Sequence, residues 1–291
     1  ITGSMQGLRS TVEQISQSSF PVMISGEEGT GKEQIARAIY AQSALQHNPL
    51  IAINCSLVND KSWGFLTNHY NSPLNDDSNT IYFRNIEELP TERRKQLLSI
   101  ILDMNLDKRN RLIFSCVSAS QTALPSAARE FVNLLSCMTI HLPPLRERAE
   151  ELPTISSLYL GNLNVELARQ IIGFESEAMA LLEAYDWPYN YTQFKRVVNE
   201  LAVITSTPSI SARAVRNSLE KEKASSSAGS SQPAKTRHTG LDVDRTLDEI
   251  TCDIISQVLS RHNGNQSAAA KQLGISRTTL WRYMNRNQER S

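Results

Sequence analysis

The chain has 291 residues, of which 40% are apolar, and its 30 basic and 30 acidic residues cancel to a formal net charge of zero. This length predicts two domains or three small ones, and because the overall charge is balanced it says nothing about partners, so any basic surface must be local. No apolar run reaches the roughly 18 residues of a membrane-spanning helix. Because the chain begins with ITGSM, without an initiator Met or a signal peptide, we expect a fragment of a longer protein.

The cysteines indicate a reducing compartment. Cys55, Cys116, Cys137 and Cys252 are widely separated, and no pair has the spacing of a metal-ligand or redox motif. Three of them lie in apolar, strand-like runs, where a cysteine usually acts as a small buried hydrophobic residue. We therefore expect a protein of a reducing cytoplasm, without structural disulfides.

Residues 20–142 alternate short β-branched runs with helical stretches, a pattern typical of a parallel sheet covered by helices on both faces. The predicted buried strands are residues 21–26, 50–55, 80–83, 111–117 and 138–142. The predicted helices between them are residues 33–43, 91–105 and about 126–135. The fold class is therefore α/β in this part of the chain.

The remaining sequence is predicted to be helical in two parts joined by a linker. Apolar residues recur at three- and four-residue spacing throughout 150–222, which indicates a wholly helical subdomain. Residues 224–240 are rich in Ser, Gly and Ala, as in a flexible linker. The predicted organisation is an α/β subdomain at 1–148, a helical subdomain at 149–223, a linker at 224–242 and an all-α domain at 243–291.

The stretch GEEGTGKE at 26–33 fits the pattern of a phosphate-binding loop, G-x-x-x-x-G-K, between a predicted strand and a predicted helix. Backbone N–H groups of such a loop and the start of the helix bind phosphate, and the lysine reaches the outer phosphates. A purely structural glycine-rich turn is the alternative. The predicted nucleotide-binding residues are Gly26, Glu27, Glu28, Gly29, Thr30, Gly31, Lys32 and Glu33.

Five stretches follow one another along the chain: PVMISGEEGTGKE, AINCS, IEELP, TIHLPPLRER and YDWPYN. In their order and spacing they resemble the bacterial enhancer-binding proteins, or sigma-54-dependent activators, a family that joins a central AAA+ domain to a Fis-type helix-turn-helix domain. In that family the loop itself reads G-E-x-G-T-G-K-E. The resemblance therefore implies ATP or ADP as the bound cofactor and makes Glu33 a feature of the family.

The chain departs from the family at the strand that supplies the acidic catalytic residues. Where the family reads roughly G-T-L-F-L-D-E-I, this chain has NTIYFRNI, which places Arg84 on the Mg²⁺-binding Asp and Asn85 on the water-activating Glu. An arginine cannot ligate a metal, so a Mg²⁺ site is doubtful. Two interpretations of Arg84 stay open: it contacts a phosphate and replaces the charge of the ion, or it is a surface residue at a strand end.

Other catalytic positions of the family are also replaced. Asp76, Asp77, Glu87 and Glu88 lie near the altered strand, but we expect all four to be solvated charges. The arginines that the family presents to a neighbouring subunit fall on Ala128 and Leu134, with Arg129 one residue away, and the lid arginine falls on Thr192. Because one such arginine is worth about 10³–10⁵ in phosphoryl-transfer rate, we expect no significant turnover and no catalytic residue.

The G-A-F-T-G-A loop with which the family contacts sigma-54 has no counterpart between Cys55 and Thr80, and this segment is shorter than in the family. We expect Trp63, Phe65 and Tyr70 to pack locally. Family members without this loop act with the sigma-70 RNA polymerase holoenzyme, as activators or repressors.

The C-terminal sequence predicts a DNA-binding module. Leu247, Ile250, Ile254 and Val258 form the apolar stripe of one helix, and two shorter helices follow around a turn at Gly274. Residues 261–290 carry six basic side chains against one acidic, a local charge of +5. The predicted DNA-binding residues are Lys271, Ser276, Arg277, Thr278, Thr279, Arg282, Tyr283 and Arg286.

These observations favour a sequence-specific transcription regulator that holds ATP or ADP without hydrolysing it and acts with sigma-70 polymerase. The alternative is an active, ATP-hydrolysing sigma-54-dependent activator, and a pure interaction scaffold is a third possibility. The expected partners are palindromic double-stranded DNA, RNA polymerase and an upstream sensory domain, with no membrane. We expect a homodimer or a higher homo-oligomer, with operator half-sites roughly 34 Å apart.

Overall fold

The computed structural model describes residues 3–120 and 122–227, and residue 266 by itself. The described residues before 225 form one compact unit. Its main sheet, in the described residues, consists of five parallel strands in the order β2-β3-β4-β1-β5. They are β1 (Val22–Gly26), β2 (Leu50–Asn54), β3 (Thr80–Arg84), β4 (Arg111–Val117) and β5 (Met138–Leu142).

Helices cover both faces of this sheet, which confirms the predicted α/β fold. They are α1 (Gly3–Ser16), α2 (Lys32–Ala41), α3 (Asp60–Asn68), α4 (Thr91–Asp103), α5 (Leu106–Arg109) and α6 (Ser126–Leu135). Short 3-10 turns follow β2 and β3 at Cys55–Leu57 and Ile86–Glu88. Three helices of this set, α1, α3 and α5, have no counterpart among the predicted elements.

The strands alternate their side chains between two cores, as the two-residue period of a strand requires. Met23 of β1 packs with the aromatic rings of Phe83 and Phe114 on one face. Val22 and Ile24 pack on the other face, in the core that α1 and α2 share. Cys55, Cys116 and Cys137 are buried, as predicted, and burial raises the pKa of each thiol to about 12.

Two of the predicted buried strands lie at the edges of the sheet. The strand order leaves β2 and β5 with one neighbour each, so their burial is incomplete: Ala52 of β2 and Thr139 of β5 are exposed. The apolar sequence of an edge strand resembles that of a central strand because both can pack one face against helices. The prediction of complete burial was wrong for these two strands.

A helical lid follows β5, beginning with a 3-10 segment, Leu145–Glu151. Its helices are α7 (Leu152–Leu167), α8 (Ser176–Glu183), α9 (Asn190–Ile204) and α10 (Ala212–Ser227). The predicted all-helical lid needs one correction, because β6 (Gly173–Phe174) and β7 (Ser209–Ile210) form a parallel pair between helices. Trp187 and Phe194 are fully buried in a lid core of their own.

Among the helices at 3–120 and 122–227, none is both long enough and apolar enough to cross a membrane.

Candidate functional site: a phosphate-loop pocket

The phosphate loop, residues 26–33, connects β1 to α2 as the sequence predicts. Gly29 and Gly31 have φ angles of 76° and 100°, a left-handed conformation that side chains disfavour. A Cβ atom on Gly29 would lie 2.2 Å from the backbone oxygen of Tyr189 in the lid, so a glycine is required there. The loop thus lies directly beneath the first turn of α9.

Lys32 folds back over the loop. Its ammonium donates to the backbone carbonyl oxygens of Gly26 and Glu27 at 2.9 and 2.8 Å. Burial lowers the pKa of Lys32, and the nearby Glu87 carboxylate opposes that shift. These two carbonyl contacts hold the ammonium at the loop, the position from which a lysine reaches a bound phosphate.

The loop borders a pocket of about 660 Å³ that the sheet edge and the lid complete. Six of the eight predicted nucleotide-binding residues, those from Glu28 to Glu33, line it. Gly26 and Glu27 do not: Gly26 ends β1, and the Glu27 side chain turns towards Arg146. Charged residues from all sides reach the pocket, four acidic and four basic: Glu28, Glu33, Glu87, Glu88, Lys32, Arg84, Arg148 and Lys195.

A polar network joins the loop to the lid. The guanidinium of Arg146 donates two hydrogen bonds, of 2.6 and 2.8 Å, to the carboxylate of Glu27. This contact is the largest cause of the lowered pKa of Glu27. Asn190, which is fully buried, donates to the carbonyl oxygen of Glu28 at 2.8 Å and accepts from the backbone N–H of Leu145 at 2.7 Å. The loop position is therefore coupled to the lid position.

Arg84 lies at the end of β3 and forms an ion pair with Glu33 of the loop, with 3.0 Å between guanidinium nitrogen and carboxylate oxygen. The other oxygen of Glu33 accepts from Arg37, one turn along α2, at 2.9 Å. Arg84 lines the pocket, whereas Arg37 is absent from the described residues that line it. The carboxylate of Glu33 is thus held between two guanidinium groups.

Glu87 corrects the expectation that all four acidic residues near β3 are solvated. It is partly buried and accepts a 2.7 Å hydrogen bond from the backbone N–H of Val117. Burial raises the pKa of Glu87, while that hydrogen bond and the charge of Lys32 lower it. Asp76, Asp77 and Glu88 are exposed, as predicted. Sequence reasoning missed Glu87 because the 3-10 turn at 86–88, which points it inward, leaves no periodic signal.

The residues at this pocket do not fit a Mg²⁺ ion held by the end of β3. Arg84 carries a permanent positive charge there, and an arginine has no lone pair to offer a metal. Asn85 follows in a left-handed conformation, with φ of 53°. Within 3–120 and 122–227, no three His, Cys, Asp or Glu side chains are grouped as a metal site.

The positions where relatives present arginines to a neighbouring subunit have other surroundings here. Ala128 is fully buried in the core beneath α6, where it faces no solvent. Leu134 is 54% exposed, and Arg129 is exposed on the same helix. Arg129 is therefore the basic side chain of α6 that is accessible to a second copy of the chain.

The lid contributes a cation that the sequence reasoning missed. Thr192, at the expected place of the lid arginine, lies over Gly29. Lys195 is one helical turn further along α9 and lines the pocket, and its ammonium lies 5.9 Å from the centre of the Tyr159 ring. Lys195 follows Thr192 by three residues, a spacing that puts the two side chains on one face of a helix. This spacing was the sequence signal that could have identified Lys195.

The segment between β2 and β3 folds into α3 and a short loop. Trp63 packs locally, as predicted, and donates its indole N–H to Gln96 at 2.8 Å. Phe65 and Tyr70 stack on either side of His69 but remain 47% and 79% exposed. Both rings therefore pack locally on His69, as predicted, although they stay largely exposed.

The predicted DNA-binding residues lie outside the described residues. They are Lys271, Ser276, Arg277, Thr278, Thr279, Arg282, Tyr283 and Arg286.

Three families match consecutive parts of the chain. Residues 2–145 match the sigma-54 interaction domain, residues 146–232 the AAA+ ATPase lid domain, and residues 246–286 the Fis family of bacterial regulatory proteins. The first two matches correspond to the sheet unit and the lid.

Curated relatives align along nearly the whole chain. The transcriptional regulatory protein ZraR of Salmonella typhimurium is 27% identical over 301 residues, which is 95% of this chain and 66% of ZraR. The regulatory protein AtoC of Escherichia coli is also 27% identical over 301 residues, 95% of this chain and 64% of AtoC. The chain thus spans just under two thirds of the length of these relatives.

Solved structures share the fold. NtrX from Brucella abortus, crystallised in complex with ADP, has a TM-score of 0.63 at 20% identity, over 98% of this chain and 67% of NtrX. A form of the same protein in complex with ATP gives the same TM-score. RuvB from Thermotoga maritima has a TM-score of 0.51 at 14% identity, over 96% of this chain and 84% of RuvB. With the sheet order and the loop geometry, these likenesses confirm the predicted AAA+ P-loop fold.

Proposed function

Since the chain belongs to the bacterial enhancer-binding family of transcription regulators, we propose that it is a DNA-binding regulator whose AAA+ module binds ATP or ADP without hydrolysing it. The observation that carries this proposal is the Arg84–Glu33 ion pair in the pocket. It places a fixed positive charge where nucleotide hydrolysis in this family needs a metal-binding acid. The pocket keeps a loop for phosphate but lacks that acid at the end of β3.

Three features support nucleotide binding. The loop has the backbone conformation and the lysine of a phosphate-binding loop, and its residues from Glu28 to Glu33 border a pocket of sufficient volume. NtrX of Brucella abortus, which shares the fold, was crystallised with ADP and with ATP. The Arg146–Glu27 contact and the Asn190 amide also fix the loop against the lid before any ligand arrives. A preorganised loop loses less conformational entropy on binding.

The proposed absence of turnover rests on several replaced side chains together. Arg84 and Asn85 replace the acidic pair, Thr192 replaces the lid arginine, and buried Ala128 replaces one arginine offered to a neighbouring subunit. Each loss alone would slow phosphoryl transfer by orders of magnitude.

An ATP-hydrolysing activator is the second candidate, and Glu87 favours it. This carboxylate lies in the pocket near Lys32 with a raised pKa, a combination that general bases often have. Its hydrogen bond to Val117 and the neighbouring Arg84 count against that role, since one oxygen is committed and the metal site is missing.

The DNA-binding and polymerase roles follow from the C-terminal match and from the segment between β2 and β3. A Fis-type module of 41 matched residues with a local excess of basic side chains supports binding to palindromic DNA as a homodimer or higher homo-oligomer. The segment that holds α3 has no G-A-F-T-G-A loop, which supports action with sigma-70 rather than sigma-54 polymerase. An upstream sensory domain would complete the length of the relatives.

The test is calorimetric titration of ATP and ADP into the chain, followed by phosphate release from the same sample. We expect micromolar binding with no release above the background rate, and no binding to a Lys32→Ala variant. Turnover that Lys32→Ala and Glu87→Gln both abolish would instead establish the ATP-hydrolysing candidate. Absence of binding would leave the AAA+ module as a scaffold for the DNA-binding domain.

A further inference from the structure

The pocket holds an ion pair that is specific to this chain's altered strand end. The guanidinium of Arg84 and the carboxylate of Glu33 approach to 3.0 Å, and both side chains are only partly exposed, at 39% and 34%. Arg84 comes from the sheet and Glu33 from the first turn of α2, so the pair spans the floor of the pocket from strand end to loop.

The other cations of the pocket are placed around this floor. Lys32 lies in the loop, and Lys195 and Arg148 enter from the lid side. A nucleoside triphosphate carries about four negative charges when no metal is bound, and such an anion needs several cations to offset its desolvation. The chain itself supplies three cations at the pocket, from loop, strand and lid: Lys32, Arg84 and Lys195. Their charges can offset those of the phosphates without a metal ion.

We propose that Arg84 takes the place of the divalent cation, so that this pocket binds the metal-free nucleotide. This inference rests on the nucleotide binding proposed above. Glu33 neutralises Arg84 in the ion pair described above, and on nucleotide binding the guanidinium exchanges that carboxylate for phosphate oxygens. A guanidinium suits this role because its planar set of N–H donors matches two phosphate oxygens at once, and its charge is independent of pH in the physiological range.

The same placement disfavours a nucleotide that brings its own Mg²⁺. A divalent ion at the β- and γ-phosphates would face the guanidinium of Arg84, and like charges at such short range repel strongly where water is partly excluded. Glu33 stays paired with Arg37 through its other oxygen after Arg84 leaves it, so its carboxylate remains partly neutralised as a metal ligand. We therefore expect metal-free ATP and ADP to bind more tightly than their Mg²⁺ complexes.

The test compares ATP binding to the full chain in excess EDTA and in excess MgCl₂, by calorimetry and by the shift in melting temperature. We expect binding in EDTA that is at least as tight as in MgCl₂. Arg84→Gln should weaken binding in EDTA by roughly 10- to 100-fold, the value of one or two charge-assisted hydrogen bonds. Arg84→Asp should bind in EDTA still more weakly and should recover affinity when MgCl₂ is added.

Arg37→Ala is the matched control. It removes the other guanidinium that contacts Glu33, from outside the pocket, and should leave the EDTA affinity within about twofold. The melting temperature of each variant without ligand reports whether it folds.

The outcomes separate the two proposals. Wild-type binding that requires MgCl₂ would overturn the metal-free inference while leaving nucleotide binding intact. If Arg84→Gln and Arg37→Ala lost equal affinity for ATP in EDTA, the metal-free inference would also be overturned, because the loss would then come from the unpaired Glu33 carboxylate and not from a missing Arg84–phosphate contact. Absence of binding in both conditions would overturn the proposed nucleotide function, and this inference with it.

Discussion

Asn190 in the lid donates a 2.8 Å hydrogen bond to the backbone carbonyl of Glu28 in the phosphate loop. The same side chain accepts from Leu145, where the chain leaves β5 for the lid. One buried amide therefore connects the loop, the lid helix α9 and the segment that joins sheet to lid. A displacement of the lid must break at least one of these bonds, so lid motion and loop conformation are coupled.

Asn190→Gly should destabilise the chain by about 2–4 kcal/mol, because it leaves the buried Leu145 N–H without a partner and also removes the hydrogen bond to the Glu28 carbonyl. Glycine is the informative replacement: Asn190 has φ of 48°, and an alanine would add backbone strain to the lost bonds. Urea denaturation measures the change in the free energy of unfolding.

Asn105→Gly is the control for that variant. Asn105 has nearly the same backbone conformation, φ of 51°, but its side chain is exposed. We expect a change within about 1 kcal/mol there. Equal losses in the two variants would contradict a linking role for the Asn190 amide.

Gly29→Ala should reduce both stability and nucleotide affinity. The new Cβ would lie 2.2 Å from the carbonyl oxygen of Tyr189, and φ of 76° is unfavourable for alanine. The lid must then move away from the loop, which we expect to cost at least about 2 kcal/mol. Gly161→Ala, in an open position on α7, should instead raise stability by about 0.5–1 kcal/mol. Parallel melting and ATP titrations of both variants decide the matter.

The sheet could be predicted from the sequence because each of its strands is a run of apolar residues bounded by a turn. The order of the strands in the sheet could not be predicted, since edge strands such as β2 have the same apolar composition as central strands. The pair β6 and β7 was missed because two-residue strands have no periodicity to detect. Helix α1 lies outside the alternating pattern on which the prediction was based, although Val12 and Ile15 are buried against the sheet.

The phosphate loop could be predicted from the sequence because its glycines are required by the local backbone geometry and its lysine completes a short, contiguous motif. The rest of the pocket depends on which side chains meet in space. Arg84 was identified as a departure, but its partner Glu33 could be known only from the structure. The sequence predicts a solvated Glu87, because the turn that buries it is set by tertiary packing of Ile86 and Leu89 rather than by sequence periodicity.

Lys195→Ala should weaken ATP binding by roughly 2- to 10-fold, the effect of a partly screened charge pair. Lys195 is the pocket-lining cation of α9, and the loss should be smaller for AMP, which carries less charge. It should also shrink as salt concentration rises. Lys108→Ala removes an exposed lysine on α5 and should leave affinity unchanged. Fluorescence titration with a labelled nucleotide measures both, and an equal effect on AMP and ATP would argue against a phosphate contact.

Glu87 should make nucleotide binding depend on pH. Burial already raises the pKa of this carboxyl, and a phosphate anion in the same pocket would raise it further, because the charged form is then disfavoured twice. Binding should therefore take up protons and strengthen as pH falls towards that pKa. Calorimetric titration in two buffers of different ionisation enthalpy measures the proton uptake directly.

The same raised pKa also affects stability, with a defined sign. Since the carboxyl of Glu87 binds its proton more tightly in the folded chain, the free energy of unfolding falls as pH rises from about 4.3, the usual value, through the raised pKa. Glu87→Gln keeps an oxygen for the Val117 N–H, so it should remove both this fall and the proton uptake. Glu88→Gln, at an exposed position, should retain both. If Glu87→Gln took up as many protons as the wild type, the titrating group would have to lie elsewhere in the pocket.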